Sequence, residues 1–71
     1  MTYDDSQILA AIDRAAQEDE RIRDDIKKAI ESYDRDFFAQ VVINVLNSMQ
    51  RAVNNVGRFI DTAYEWFRNR F

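Results

Sequence analysis

The sequence predicts an all-α protein: an antiparallel two-helix hairpin that forms a helical bundle by self-association. Three observations lead there. Apolar residues recur in alternating steps of four and three along nearly the whole chain, the spacing of one helix face. The 71 residues contain no proline and one glycine, Gly57, so the usual helix breakers are almost absent. The second half also carries more apolar surface than the first half can cover.

A chain of 71 residues is read as a single domain spanning residues 1–71. A domain this small buries only ~60% of the surface its unfolded chain exposes, and it usually needs a staple such as a disulfide, a metal or a partner chain. With no cysteine and no histidine, disulfides, thiolate sites and the commonest metal ligand are unavailable. A partner is the remaining staple, most simply a second copy, and a dimer is the expected homo-oligomer.

The first helix is expected over about residues 5–33. Thr2 and Asp5 form a weak variant of a capping box, and Asp4 and Asp5 suit the positive end of a helix dipole. The stripe then runs Ile8, Ile12, Ala15, Ile22, Ile26, Ala29 and Tyr33. Asp19 falls where an apolar residue belongs. It is read either as a turn over a solvated gap or as a charge paired with an arginine, Arg51 being opposite if the hairpin folds about residue 35.

A turn is expected at about 33–36, within Ser32-Tyr33-Asp34-Arg35-Asp36, where short polar side chains compete for backbone hydrogen bonds. Asp34 or Asp36 would cap the next helix. A connection this short makes the helices antiparallel neighbours.

The second helix is expected over about residues 36–70. Its stripe reads Phe38, Val42, Val45, Met49, Ala52, Val56, Phe59, Ala63 and Trp66. A bend or break is possible only at Gly57, where Ala15 and Ala16 would approach. Because the stripe keeps its phase there, a continuous helix is favoured.

The apolar surplus sets the functional expectation. Residues 6–33 hold 12 apolar residues, five of them alanine, whereas residues 37–71 hold 19. A second row of large side chains is therefore expected to stay exposed: Phe37, Val41, Leu46, Val53, Ile60, Tyr64, Phe67 and Phe71. With Phe59 and Trp66 they make the expected protein-interaction surface, since exposed apolar patches mark interfaces and aromatics with arginines dominate binding hot spots. Tyr3 could close over the aromatic end.

Charge is uneven. Residues 1–36 carry 11 acids and 6 bases, and residues 37–71 carry 2 acids and 4 arginines. An acidic face at Glu18, Asp19, Glu20, Asp24 and Asp25 gives a second reading, a small inhibitor that blocks a basic site on an enzyme or a nucleic-acid-binding protein. Nucleic acid itself is not an expected partner, because no run of lysine and arginine exists to neutralise phosphates. A third reading lays the C-terminal amphipathic segment on a membrane surface; Asp61, Glu65 and the scarcity of lysine weigh against it. With no aliphatic run near the ~20 residues that span a bilayer and no signal-peptide pattern at the N-terminus, a cytoplasmic location is expected.

No catalytic constellation is present. Ser6, Ser32 and Ser48 have no histidine to activate them. Adjacent acids such as Asp24 and Asp25 point apart on a helix and cannot converge on a metal or a glycosidic bond. No cofactor or metal is expected, and the chain reads as a non-catalytic adaptor, assembly factor or regulator acting through its apolar second helix.

Overall fold

The computed structural model describes residues 5–71. The Thr2 cap and the Tyr3 closure lie outside the described residues. Within them the protein is all-helical: α1 (Asp5–Glu18), α2 (Glu20–Glu31), α3 (Arg35–Ser48) and α4 (Val56–Arg70). The expected pair of long helices is thus four shorter ones, each expected helix being divided once.

The first division falls at Asp19. Its backbone is extended (φ −123°, ψ 107°), and its carboxylate accepts the Arg21 N–H at 2.9 Å. The residue that spoils the apolar stripe is therefore the N-cap of α2, a position that favours Asp and satisfies an orphan donor of the first turn. Asp19 is exposed, so this turn is solvated as the first expectation had it; the continuous 5–33 helix is corrected, and the carboxylate serves as a cap rather than as the buried charge of the second expectation.

The turn between α2 and α3 falls where expected. Asp34 caps α3, its carboxylate accepting the Phe37 N–H at 2.9 Å. On the other side α2 closes with a paired motif. The Tyr33 N–H donates to the Ile30 carbonyl at 3.2 Å and the Asp34 N–H to Ala29 at 3.0 Å, with Tyr33 at φ 55°. This is the Schellman pattern, in which a left-handed residue lets two orphan carbonyls find donors.

The second division lies ahead of Gly57. Helix α3 ends at Met49 by the same pattern: the Gln50 N–H donates to Asn47 at 3.1 Å and the Arg51 N–H to Leu46 at 2.9 Å, with Gln50 at φ 56°. The chain then runs irregularly to Asn55, whose side chain caps α4 by accepting the Arg58 N–H at 3.0 Å. Gly57 is an exposed residue in the first turn of α4. A Cβ added there would meet only Asn55 Oδ1, at 3.7 Å, so no alanine of α1 packs against it.

Dividing the second helix folds both of its apolar rows inward. Phe38, Val42 and Phe59 are fully buried as the stripe predicts, with Ile8 and Ile12 of α1 and Ile26 of α2. The row expected to stay exposed is mostly buried too: Val41, Leu46, Ile60, Tyr64 and Phe67 belong to the same core, Leu46 at 4%, Ile60 at 8% and Phe67 at 0% exposure. Two antiparallel helices could cover one row each; four, with α2 packed most extensively on α3 and contacts linking α1, α3 and α4, enclose both. The radius of gyration, 11.1 Å, matches the ~11 Å of a compact chain of this length. No second copy is needed to cover that row, which corrects the premise drawn from the sequence.

Candidate protein-interaction surface

What stays on the surface is smaller and more specific than the row the sequence suggests. Among the expected interaction residues, Val41, Leu46, Phe59, Ile60, Tyr64 and Phe67 are core, while Phe37, Val53 and Trp66 are half-buried against it. Only Phe71 is largely open, at 47% exposure. The other large exposed apolar side chains among the described residues are Val56 and Tyr33, the latter at 76%.

Phe71 ends a ladder of rings that begins in the core. Phe38 of α3 meets Tyr64 of α4 edge to face, with centroids 5.3 Å apart, and meets Phe67 at 6.2 Å. Phe67 meets Trp66 edge to face at 4.8 Å and stacks on Phe71 at 6.2 Å. Such pairs add ~0.5–1.5 kcal/mol beyond the area they bury. They also hold the outermost rings in place, so the exposed end of the ladder is fixed by its buried end.

Arginines frame this ladder. The Arg70 guanidinium lies over the Trp66 ring, 4.6 Å from its centroid, and donates to Asp13 of α1 at 3.2 Å. Asp13 also accepts from the Gln17 side chain at 3.0 Å. Near the start of α3, Arg35 lies over Tyr64 at 5.1 Å and pairs with Asp61. Both contacts join the N-terminal half of the chain to α4, the first with its acid and the second with its base in the N-terminal half. Between α4 and the α1–α2 joint lies an open groove of about 360 Å³, lined by Asp13, Ala16, Gln17, Arg23, Arg70 and Phe71. The sequence reading did not include Asp13, Gln17 or Arg23 here, because helix periodicity within one element carries no information on which residues of another meet it.

The acidic face is less acidic than its carboxylates suggest. Glu18, Asp19, Glu20 and Asp24 are exposed and Asp25 is half-buried. Arg23 sits 3.7 Å from Glu20 and 3.8 Å from Asp24, and Asp19 is engaged as a cap. Helix α2 carries four acids and four bases, so its net charge is zero. Among the described residues no cluster of three or more potential metal ligands forms, and no helix is long and apolar enough to cross a membrane.

The chain matches no protein-family model, no curated protein and no solved structure. The surface chemistry alone informs the functional reading.

Proposed function

We propose that the protein is a small, non-catalytic helical interaction module, an adaptor or regulator that acts in the cytoplasm. It would engage a protein segment through the corner formed by Trp66, Arg70 and Phe71, rather than through a whole apolar helix face. The observation that carries this reading is the exposed Phe71 ring held on Phe67 beside a groove flanked by Arg23 and Arg70. A fixed aromatic next to guanidinium groups is the composition of interface hot spots, and prior fixation lowers the ordering cost of binding. The half-buried Trp66 and the open groove support a segment-sized partner rather than a broad one. The inhibitor reading ranks second, since Arg23 offsets the carboxylates it would depend on.

Selection of a displayed random-peptide library on the wild-type protein tests this, with Phe71→Ala and Arg70→Gln proteins as counter-selection baits. Convergence on peptides that the variants fail to hold supports the corner. Convergence on peptides that both variants bind equally, or no convergence, overturns it.

A further inference from the structure

The connection between α3 and α4 is made of residues that suit a helix. Residues 49–55 lie outside both helices, yet they include neither proline nor glycine. The apolar stripe crosses them without losing step: Val45, Met49, Ala52, Val56, Phe59 and Ala63 alternate by four and three, which is a heptad repeat. Two helices separated by an irregular connection need not share a phase. The repeat also goes unused at the connection in this fold, because Ala52 is exposed and Val56, just beyond it, is 46% exposed. Strain sits at the same place. Gln50 is left-handed at φ 56°, a conformation that costs a residue with a Cβ, and it is exposed, so packing offers little in return.

The other two joints lack this combination. At the α1–α2 joint the heptad position inside the break is a charge, Asp19. At the α2–α3 turn the stripe loses step, five residues separating Tyr33 from Phe38. Helix α4, meanwhile, is held by contacts that do not depend on its connection. Phe38 meets the Tyr64 and Phe67 rings, Arg35 pairs with Asp61, and Arg70 donates to Asp13 at 3.2 Å. The α4 of a second copy can make every one of these, and the surface it would occupy is the interface that α4 already fills.

We propose that the chain has a second folded form, a domain-swapped dimer in which residues 49–55 become helical and α3 and α4 fuse into one helix over residues 35–70. Each α4 then packs on α1, α2 and α3 of the other copy, an exchange of identical elements. The core contacts are kept, the left-handed Gln50 is released, and Ala52 and Val56 are buried where the two long helices cross. Short hinges under strain favour this exchange. Loss of the Asn55 cap, Gly57 inside a longer helix and the entropy of association oppose it, so the closed monomer prevails in dilute solution and the dimer at high concentration. The proposal does not rest on the Phe71 corner. It adds that a dimer carries two such corners, each assembled from both chains.

Refolding from urea over a range from micromolar to millimolar protein tests it, with the dimer fraction read by sedimentation velocity. Because the chain has no cysteine, spin labels at Gln40→Cys and Asn69→Cys, both exposed positions, report one distance when labelled chains are diluted into unlabelled protein. The closed fold is 35 Å long, whereas residues 40 and 69 of one continuous helix lie ~43 Å apart. The wild type is expected to give dimers on millimolar refolding, with the longer distance. Gln50→Gly relaxes the closed form and weakens the fused helix, so it should lower the association constant at least tenfold. Asn55→Ala removes a cap that only the separate α4 needs and should raise it at least tenfold. Tyr33→Gly relieves the same strain at a turn that both forms keep and should change it less than threefold. Absence of dimer from both wild type and Asn55→Ala at millimolar concentration overturns the proposal. So does a dimer whose label distance stays within 35 Å, which is two closed molecules side by side, or a Gln50→Gly protein that dimerises as the wild type does.

Discussion

Tyr33 and Gln50 are equivalent residues in two copies of one device. Each follows the last residue of a helix cap, each is left-handed at φ 55° and 56°, and each directs two N–H groups back to the carbonyls of the final turn. Between them they end α2 and α3. In most proteins this position belongs to glycine, which has no Cβ to strain.

Replacing either residue by glycine should stabilise the fold. Relief of the left-handed strain is worth about 1 kcal/mol, partly offset by the greater freedom of glycine in the unfolded chain. For a domain of this size a full 1 kcal/mol is a rise of roughly 4–8 °C in melting temperature, so after the offset a smaller rise is expected, readable by circular dichroism. A fall in melting temperature for both variants would show that the side chains contribute more than the strain costs.

The three side-chain caps should each matter. Asp19→Ala, Asp34→Ala and Asn55→Ala remove acceptors that hold the Arg21, Phe37 and Arg58 N–H groups. Each should cost about 1 kcal/mol in urea unfolding, whereas Asp24→Ala, whose ion pair with Arg23 is an exposed contact of 3.8 Å, should change stability by less than half of that. Equal losses at all four positions would argue that charge, not capping, is at work.

Phe38 and Met49 lie on the same predicted stripe but should respond differently. Phe38 is fully buried and touches both Tyr64 and Phe67, so Phe38→Ala should cost ~3–5 kcal/mol. Met49 is half-buried at the end of α3, so Met49→Ala should cost under half as much. Since Phe38→Ala alone could unfold a domain this small, Phe38→Leu gives a measurable intermediate. Equal costs at the two positions would place Met49 deeper than described.

The contact between Arg70 and Asp13 should couple weakly. The Asp13 side chain is 19% exposed and that of Arg70 48%, so the pair is only half withdrawn from water. A double-mutant cycle on stability should give about 1 kcal/mol or less, smaller at high salt. Strict additivity would show that Arg70 is held by the Trp66 ring alone.

Much of the core was legible because helix periodicity is a local property. Ile8, Ile12, Ile26, Phe38, Val42, Phe59 and Ala63 were placed correctly by spacing alone, and Asp34 was foreseen as a cap at the one turn with a run of short polar residues. The two divisions were missed for a shared reason. The phase of the apolar spacing is kept across both, from Ala15 to Ile22 with only Asp19 out of place and from Met49 through Ala52 to Val56, so phase alone did not show a break. The first division is marked by Asp19, which stood out in the stripe but was not read as a cap; the second is marked by the stop at Gln50, where no glycine announces it, and by the start at Asn55. Missing the second division had the larger consequence. A continuous 36–70 helix leaves Leu46, Ile60 and Phe67 facing outward, whereas a chain that turns at Met49 encloses them. The candidate corner was half legible: Trp66, Phe71 and the arginines stood out by composition, but the facing residues Asp13, Gln17 and Arg23 depend on how α1 and α2 meet α4.

The stretch from Arg51 to Asn55 joins α3 to α4 outside either helix, and most of its side chains are exposed. Exposed connectors of this sort are where proteases cut and where new termini are tolerated. A nick there would leave α4 held to the other three helices through Phe59, Ile60, Ala63, Tyr64 and Phe67, together with the Arg35–Asp61 and Arg70–Asp13 contacts. The protein is therefore a natural candidate for splitting into two complementing fragments, one carrying α1 to α3 and the other α4, whose reassembly could serve as a reporter.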